Sequence, residues 1–304
     1  MSKRHLSKQQ KTRIQALQDS RTGVLFRVTA QLGREIEVQN EAHEVFSAKL
    51  RQNLPALVTG DWVLGNQAEP PIVVEQLLPR SNLIERPTQA GRRKALAANV
   101  DQALLVIAPV PAPSPLMIDR YLVQLHALDL PLILVVNKSD LGLDPLDDLI
   151  QLYQGLGYSV ISISSLQREL GELATALAEK TSLVLGQSGV GKSSLIHALD
   201  PALTIRIGDL SASAQGKHTT TITRLYQVGE AEIMDSPGVY DITTWHLSPE
   251  QLREGFIEFK AYKKDCQFHN CTHTHEPVCA VKRAVEAEEI AATRYQNYCS
   301  MLKE

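Results

Sequence analysis

What is scarce in this 304-residue chain narrows its class before any motif is read. Cysteine is scarce: there are four, and none precedes Cys266, which excludes a disulfide framework for the bulk of the fold and suits a reducing compartment. Long apolar runs are absent. Nothing reaches the roughly 18 apolar residues of a membrane span, and the N-terminal stretch lacks the apolar core of a secretory signal. Net charge is small, −3 at neutral pH, so overall charge makes no case for nucleic acid. Aromatic residues are few, and between 22 and 80 only Phe26, Phe46 and Trp62 occur, so nucleic acid held there would be read through shape and phosphate more than by base stacking. The expectation is a cytoplasmic globular monomer with no membrane partner.

The 43% hydrophobic content is ample for two or three domains. Residues 1–21 carry Lys3, Arg4, Lys8, Lys11, Arg13 and Arg21 against one acid, Asp19, and form a basic arm able to touch RNA phosphate or simply to be solvated. From 22 to 82, short β-type runs at 24–28, 36–38, 45–50, 61–64 and 72–77 alternate with turn signals such as Gly60-Asp61 and Pro70-Pro71. Five short strands predict a small β-barrel of OB type, although strand count does not separate it from an SH3-like barrel. The basic, Pro- and Gly-containing residues 83–99 read as a linker.

From 100 to 243 the rhythm becomes α/β. Apolar runs at 103–108, 132–136, 160–163 and 183–185 alternate with helical stretches near 115–128, 144–156 and 169–180, as in a mostly parallel sheet buried on both faces. After the last run come Gly186-Gln187-Ser188-Gly189-Val190-Gly191-Lys192-Ser193-Ser194, which fit G-x-x-x-x-G-K-[ST] at every fixed position. Glycines let the backbone turn tightly and aim N–H groups at phosphate, and a helix starting near Lys192 adds partial positive charge. Lys192 would reach the β- and γ-phosphates and the Ser193 hydroxyl would ligate Mg²⁺. Asn137-Lys138-Ser139-Asp140 ends the second run, where open α/β sheets bind ligands. The Asp140 carboxylate can accept from guanine N1–H and N2–H, a donor pair that adenine lacks. Lys138 can lie along the base, Asn137 can hold the loop or the base edge, and Ser164-Ser165 can support the base through backbone N–H groups. Beyond the phosphate loop, one of Thr219, Thr220 and Thr221, with Thr220 preferred, is a candidate Mg²⁺ ligand. Asp235-Ser236-Pro237-Gly238 follows an apolar strand, with Asp235 on the metal side and the Gly238 N–H facing the γ-phosphate.

Between 244 and 304 lies Cys266-x4-Cys271-x-His273-x5-Cys279. Three thiolates and an imidazole at this spacing can close a tetrahedral Zn²⁺ site of structural type, with His269 and His275 as rival imidazoles. A metal there would stabilise a region with little core of its own. Cys299, in a helical stretch near 280–302, reads as a small core residue.

These motifs are those of a GTPase in an unusual order, with Asn-Lys-x-Asp ahead of the phosphate loop, which is a circular permutation. Together with the Leu6 to Lys8 arm, the barrel, Gly216 to Thr221 and the cysteine cluster, the chain resembles the bacterial ribosome small subunit-dependent GTPase A family over nearly its whole length. The resemblance implies an OB-type barrel, a circularly permuted GTPase domain and a small, mainly helical zinc-binding domain. It also implies GTP hydrolysis to GDP and phosphate, and an assembly factor for the small ribosomal subunit that contacts 16S rRNA, is stimulated by the subunit and leaves on hydrolysis. It favours His273 as the zinc ligand. Where many GTPases place a water-orienting glutamine, this chain has Val239. His218, beside the threonines, is the candidate catalytic residue in its place, a role that the resemblance also implies. The alternatives are an RNA-binding module with incidental hydrolysis and, more distantly, an ATP-using phosphate-loop enzyme. The short path from Asp235 to the cysteines further suggests that switch motion pulls directly on the C-terminal region.

Overall fold

In the computed structural model, residues 23–32, 35–87, 93–203, 222–235, 244 and 246–304 are described. The basic arm, His218, Thr219, Thr220, Thr221, Gly238 and Val239 lie outside them. Strands β1 (Val24–Leu32), β2 (Glu35–Gln39), β3 (Val45–Leu50), β4 (Trp62–Gly65) and β5 (Ile72–Leu77) point alternate residues inward. Phe26, Val28, Ile36, Val38, Ala48, Val63, Ile72 and Val74 then share one core with Leu57. The strands pair in the order β1-β2-β3-β5-β4, and β4 returns to β1, closing the barrel. Its β3–β5 pairing is parallel, with Ala48 opposite Ile72. That order and that parallel pair are the OB arrangement, which strand count alone left open.

The 83–99 segment, expected as a linker, holds a β-hairpin. Strand β6 (Leu83–Pro87) pairs with β7 (Arg93–Ala98), and Ile84 and Ala97 sink into the neighbouring core. Pro87 ends β6, and Arg86, Arg93 and Lys94 lie within the strands, so a composition typical of linkers hid two short strands.

Strands β8 (Gln102–Ile107), β9 (Leu132–Val136), β10 (Ser159–Ser162), β11 (Thr181–Leu185) and β13 (Ala231–Asp235) run parallel, with β12 (Arg224–Val228) antiparallel to β13. Ala103, Leu105 and Ile107 face helices α1 (Pro115–Ala127) and α2 (Asp147–Gly155). Leu104 and Val106, with Ala108 just beyond the strand, face α3 (Gly171–Leu177) and α4 (Lys192–Leu199) on the opposite side. The result is the three-layer α/β sandwich that wholly apolar strands require. A register shift in β1 between Val28 and Ala30 accompanies its exit from the barrel, and Ala30 pairs with Arg224 of β12. One eleven-stranded sheet therefore runs from β10 to the barrel.

At the C-terminal end, α5 (Pro249–Gly255) starts with a capping box in which Ser248 and Gln251 satisfy each other's backbone N–H groups. The helical stretch expected at 280–302 is two helices, α6 (Ala280–Glu286) and α7 (Ala292–Met301). The break comes where Glu288 adopts φ 60° and the chain turns to bury Ile290. This region has a core of its own, contrary to expectation: Phe256, Phe259, Val281, Tyr298 and Met301 pack together with Val123 of α1. A Cβ on Gly255 would lie 2.8 Å from the Val123 Cα, so only glycine permits this approach of α5 to α1. Beside it, Arg294 donates to Glu258 (2.7 and 2.8 Å) and to Asp119 of α1. Asp119 also accepts from Tyr153 and Asn297, at 2.6 Å each.

Candidate nucleotide and metal sites

The carboxyl ends of β9, β10 and β11 carry the loops that the sequence singled out, on the two sides of β8 where the strand order reverses. In the phosphate loop Gly186, Gly189 and Gly191 all have positive φ (133°, 82° and 94°), and α4 begins at Lys192 as its spacing predicts. A Cβ at Gly186 would sit 2.2 Å from the Val106 carbonyl oxygen, so the turn off β11 requires glycine. Lys192 is buried and its Nζ donates to the carbonyls of Gly186 (2.8 Å) and Gln187 (2.7 Å), curling the side chain over the loop. Val190 is buried and Ser188 exposed, while Ser193 and Ser194 lie in the first turn of α4.

Asn137 is buried and serves as the joint of the site. Its Nδ2 donates to the Val190 carbonyl (2.9 Å), and its Oδ1 accepts from the Ser165 N–H (3.1 Å) and hydroxyl (2.9 Å). Of the two roles open to it, holding the loop is therefore the observed one. Lys138, at φ 63°, extends its Nζ to the carbonyls of Gly189 and Val110, 2.7 Å each. Ser139 and Asp140 form a short 3-10 turn, and Asp140 Oδ1 accepts from the Ser164 hydroxyl at 2.6 Å. The backbone N–H groups of Ser164 and Ser165 are already engaged with Glu169 and Asn137, so these serines brace the Asn137 to Asp140 loop. They do not present free amides to a base, as had been expected.

Asp235, at the end of β13, is buried near Lys192. Burial pushes the lysine down to about 8, against the pull of Asp235, and pushes the carboxyl up, against the pull of Lys192. Two partly desolvated opposite charges beside the phosphate loop suit a ligand that brings both signs, an anion with a hard cation. Hydroxyl and carboxylate oxygens, from Ser193 and Asp235, are the donor set that Mg²⁺ prefers.

The structure brings Cys266, Cys271, His273 and Cys279 together, with their ligand atoms all within 4.8 Å of one another. Cys266 Sγ lies 4.0 Å from Cys279 Sγ, and His273 Nδ1 lies 3.6 and 3.4 Å from the same two sulfurs. A tetrahedral zinc with usual bond lengths would set these separations at about 3.8 and 3.5 Å. The other imidazole nitrogen, Nε2, is buried with no hydrogen-bond partner among the described residues. Burial raises the Cys271 thiol to about 12 and also raises Cys279, a cost that a bound cation would remove. His269 and His275 stand outside the group, as does Cys299, which packs against the C-terminal core. Outer contacts orient the ligands: Tyr295 and Tyr298 donate to the carbonyls of His273 and Thr272, both at 2.7 Å. The Glu276 carboxylate gathers the Thr272 and Thr274 N–H groups (2.6 and 3.0 Å), and although burial opposes ionisation, these bonds hold it at about 2.

Sequence reading missed Arg27. It stands in an apolar strand and is buried at 3% exposure, where it pairs with Glu232 (2.9 Å), reaches Thr181 (3.3 Å) and lies under the Trp62 ring (4.6 Å). A charged residue inside a strand buried on both faces was the available signal.

A parallel sheet that carries a phosphate loop after β11 and the base-reading loop ahead of it in the chain defines a circularly permuted GTPase. The sequence profile of the RsgA GTPase family matches residues 77–245, and the chain belongs to that family; it is a GTP-hydrolysing enzyme. The small ribosomal subunit biogenesis GTPase RsgA of Hahella chejuensis is 39% identical, over 98% of this chain and 95% of the relative. Its counterpart from Chromohalobacter salexigens is 41% identical, over 98% and 97%. The crystal structure of YjeQ from Thermotoga maritima is similar with a TM-score of 0.74 at 33% identity, covering 92% of this chain and 97% of that one. YloQ, described as a circularly permuted GTPase, matches with a TM-score of 0.71 at 28% identity, covering 94% and 96%.

Proposed function

We propose that this chain hydrolyses GTP in the late maturation of the small ribosomal subunit, binding 16S rRNA and leaving once GTP is cleaved. The partner comes from the relatives' names, small ribosomal subunit biogenesis GTPases. The observation that carries the nucleotide reading is the Asn137 Nδ2 bond to the Val190 carbonyl, which ties the base-reading loop to the phosphate loop across β8. In this reading Asp140, steadied by Ser164, accepts from guanine N1–H and N2–H, and the Lys138 stem lies along the base. The N–H groups of residues 187–194 and the Lys192 ammonium hold the phosphates. Ser193, Asp235 and Thr220 would hold Mg²⁺, which when bound neutralises charge on the phosphate oxygens. The Gly238 N–H would face the γ-phosphate, and His218 as a neutral imidazole would orient or deprotonate the attacking water, a task that Val239 is unable to perform. Cys266, Cys271, His273 and Cys279 would hold one structural Zn²⁺.

Domain limits follow the same reading: the arm at 1–21, the barrel at 22–82, a connecting hairpin within 83–99, the GTPase domain at 100–243 and the zinc region at 244–304. No helix among the described residues is long and apolar enough to cross a membrane, and we place the protein in the cytoplasm as a monomer. The test is co-sedimentation with purified small subunits in a non-hydrolysable GTP analogue or GDP. Retention with the analogue and release with GDP is expected; binding that ignores the nucleotide would favour an RNA-binding module with incidental hydrolysis. In parallel, His218→Ala should lower turnover by about 100-fold or more with GTP affinity nearly intact.

A further inference from the structure

The strand that follows the candidate hydrolytic stretch is held by the barrel. Three separate barrel elements converge on Thr223 and Arg224. Thr59, in the loop before β4, donates its hydroxyl to the Thr223 carbonyl at 2.7 Å. Glu37 of β2 accepts from Arg224 at 2.8 Å, and Ala30 of β1 pairs with Arg224 along the backbone. Thr59 is itself 2% exposed and fixed in place, since its carbonyl accepts from the Ala98 N–H at 3.0 Å. On its other edge Arg224 is the register partner of Asp235. The far end of β13 is pinned as well, by Arg27 bonded to Glu232. The barrel therefore lies one strand from the buried Asp235 and holds the residues that directly follow Thr219, Thr220 and Thr221 in sequence.

We propose that the barrel is part of the hydrolytic apparatus, with Thr59 and Glu37 as positioning residues that fix the C-terminal anchor of the stretch carrying His218 and Thr220. The inference rests on that stretch supplying the groups that act on water and the γ-phosphate. Hydrolysis depends on alignment, and a displacement of about 1 Å far from the reacting atoms can cost about 100-fold. Nucleotide affinity rests mainly on the phosphate loop and Asn137 to Asp140, which these barrel contacts do not touch. The barrel should therefore act on the rate far more than on affinity. An RNA surface that engages the barrel would by the same route reach Asp235 and the hydrolytic stretch through β12.

The experiment is single-turnover GTP hydrolysis by the full chain, with GTP affinity measured separately on a fluorescent analogue. Thr59→Val removes the donor at nearly constant volume, and Thr59→Ser restores it. The expected result is a rate about tenfold lower for Thr59→Val, affinity within about twofold of wild type, and recovery in Thr59→Ser. A second arm avoids the buried site: Glu37→Arg lowers the rate, and adding Arg224→Glu recovers it through the reversed pair. A folded Thr59→Val with the wild-type rate, or a charge-reversed pair that fails to recover, overturns the inference. His218→Ala, run alongside, separates the two claims. If His218→Ala is silent while Thr59→Val is slow, the role given to His218 fails and the barrel's role stands; the opposite pattern sinks only the barrel's role.

Discussion

The GTPase domain has two neighbours and is joined to each by a buried arginine, but the two joints sit on different parts of its machinery. At the barrel, Arg27 meets Glu232 and Thr181 at the start of β13 and β11, and the barrel strand continues into β12. At the C-terminal region, Arg294 meets Asp119 of α1 and stacks over Phe256 at 4.5 Å, within a core of aromatic rings. The first joint touches the strands that flank the candidate switch segments. The second touches a helix that supplies none of the candidate nucleotide residues. The short path from Asp235 to the cysteines suggested that the zinc region would follow the nucleotide. Among the described residues the barrel is in direct contact with β12, and the C-terminal region packs on α1.

Perturbing each joint in turn tests this contrast. The largest effect is expected from metal removal. In peptides with no core of their own a structural zinc contributes about 10 kcal/mol or more. Here the aromatic core retains part of the fold, so chelation should raise hydrogen exchange across 266–302 while the barrel strands stay protected. Arg294→Met comes next. It strands the Asp119 carboxylate at 0% exposure and should cost about 3 to 5 kcal/mol in denaturant unfolding, with GTP affinity unchanged. Arg27→Met removes charged hydrogen bonds to Glu232 and should cost about 2 to 3 kcal/mol, but unlike Arg294→Met it should also slow turnover. Smallest in stability is Glu37→Gln, in a pair less than a third exposed and worth less than about 1 kcal/mol, which should nonetheless show in the rate. Equal loss of turnover on disrupting either joint would erase the distinction between them.

Much of the nucleotide site was legible because it depends on local chemistry. Glycines at 186, 189 and 191 are demanded by backbone turns that a short motif encodes, and the apolar strands declare burial on both faces. The cysteine cluster was readable for the same reason, with spacing and soft ligands close in the chain; spacing alone left His273 and His275 open, the resemblance favoured His273, and proximity agrees with it. What escaped was long-range. The β3–β5 parallel pair that makes the barrel an OB type joins distant residues and leaves no local mark. Arg27 and Glu232 are 205 positions apart, so neither names the other as its partner. The β6–β7 hairpin was hidden by composition, and the break at Glu288 by a sequence that is helical on either side. The aromatic residues of the barrel are also spoken for: Phe26 fills its core and Trp62 covers Arg27.

The most direct test of the whole account is steady-state GTP turnover by the full chain with and without purified small ribosomal subunits, ATP serving as the control nucleotide. The account predicts slow turnover alone, a rise of about tenfold or more with subunits, and no comparable rise with ATP. Turnover that stays flat when saturating subunits are added would contradict it.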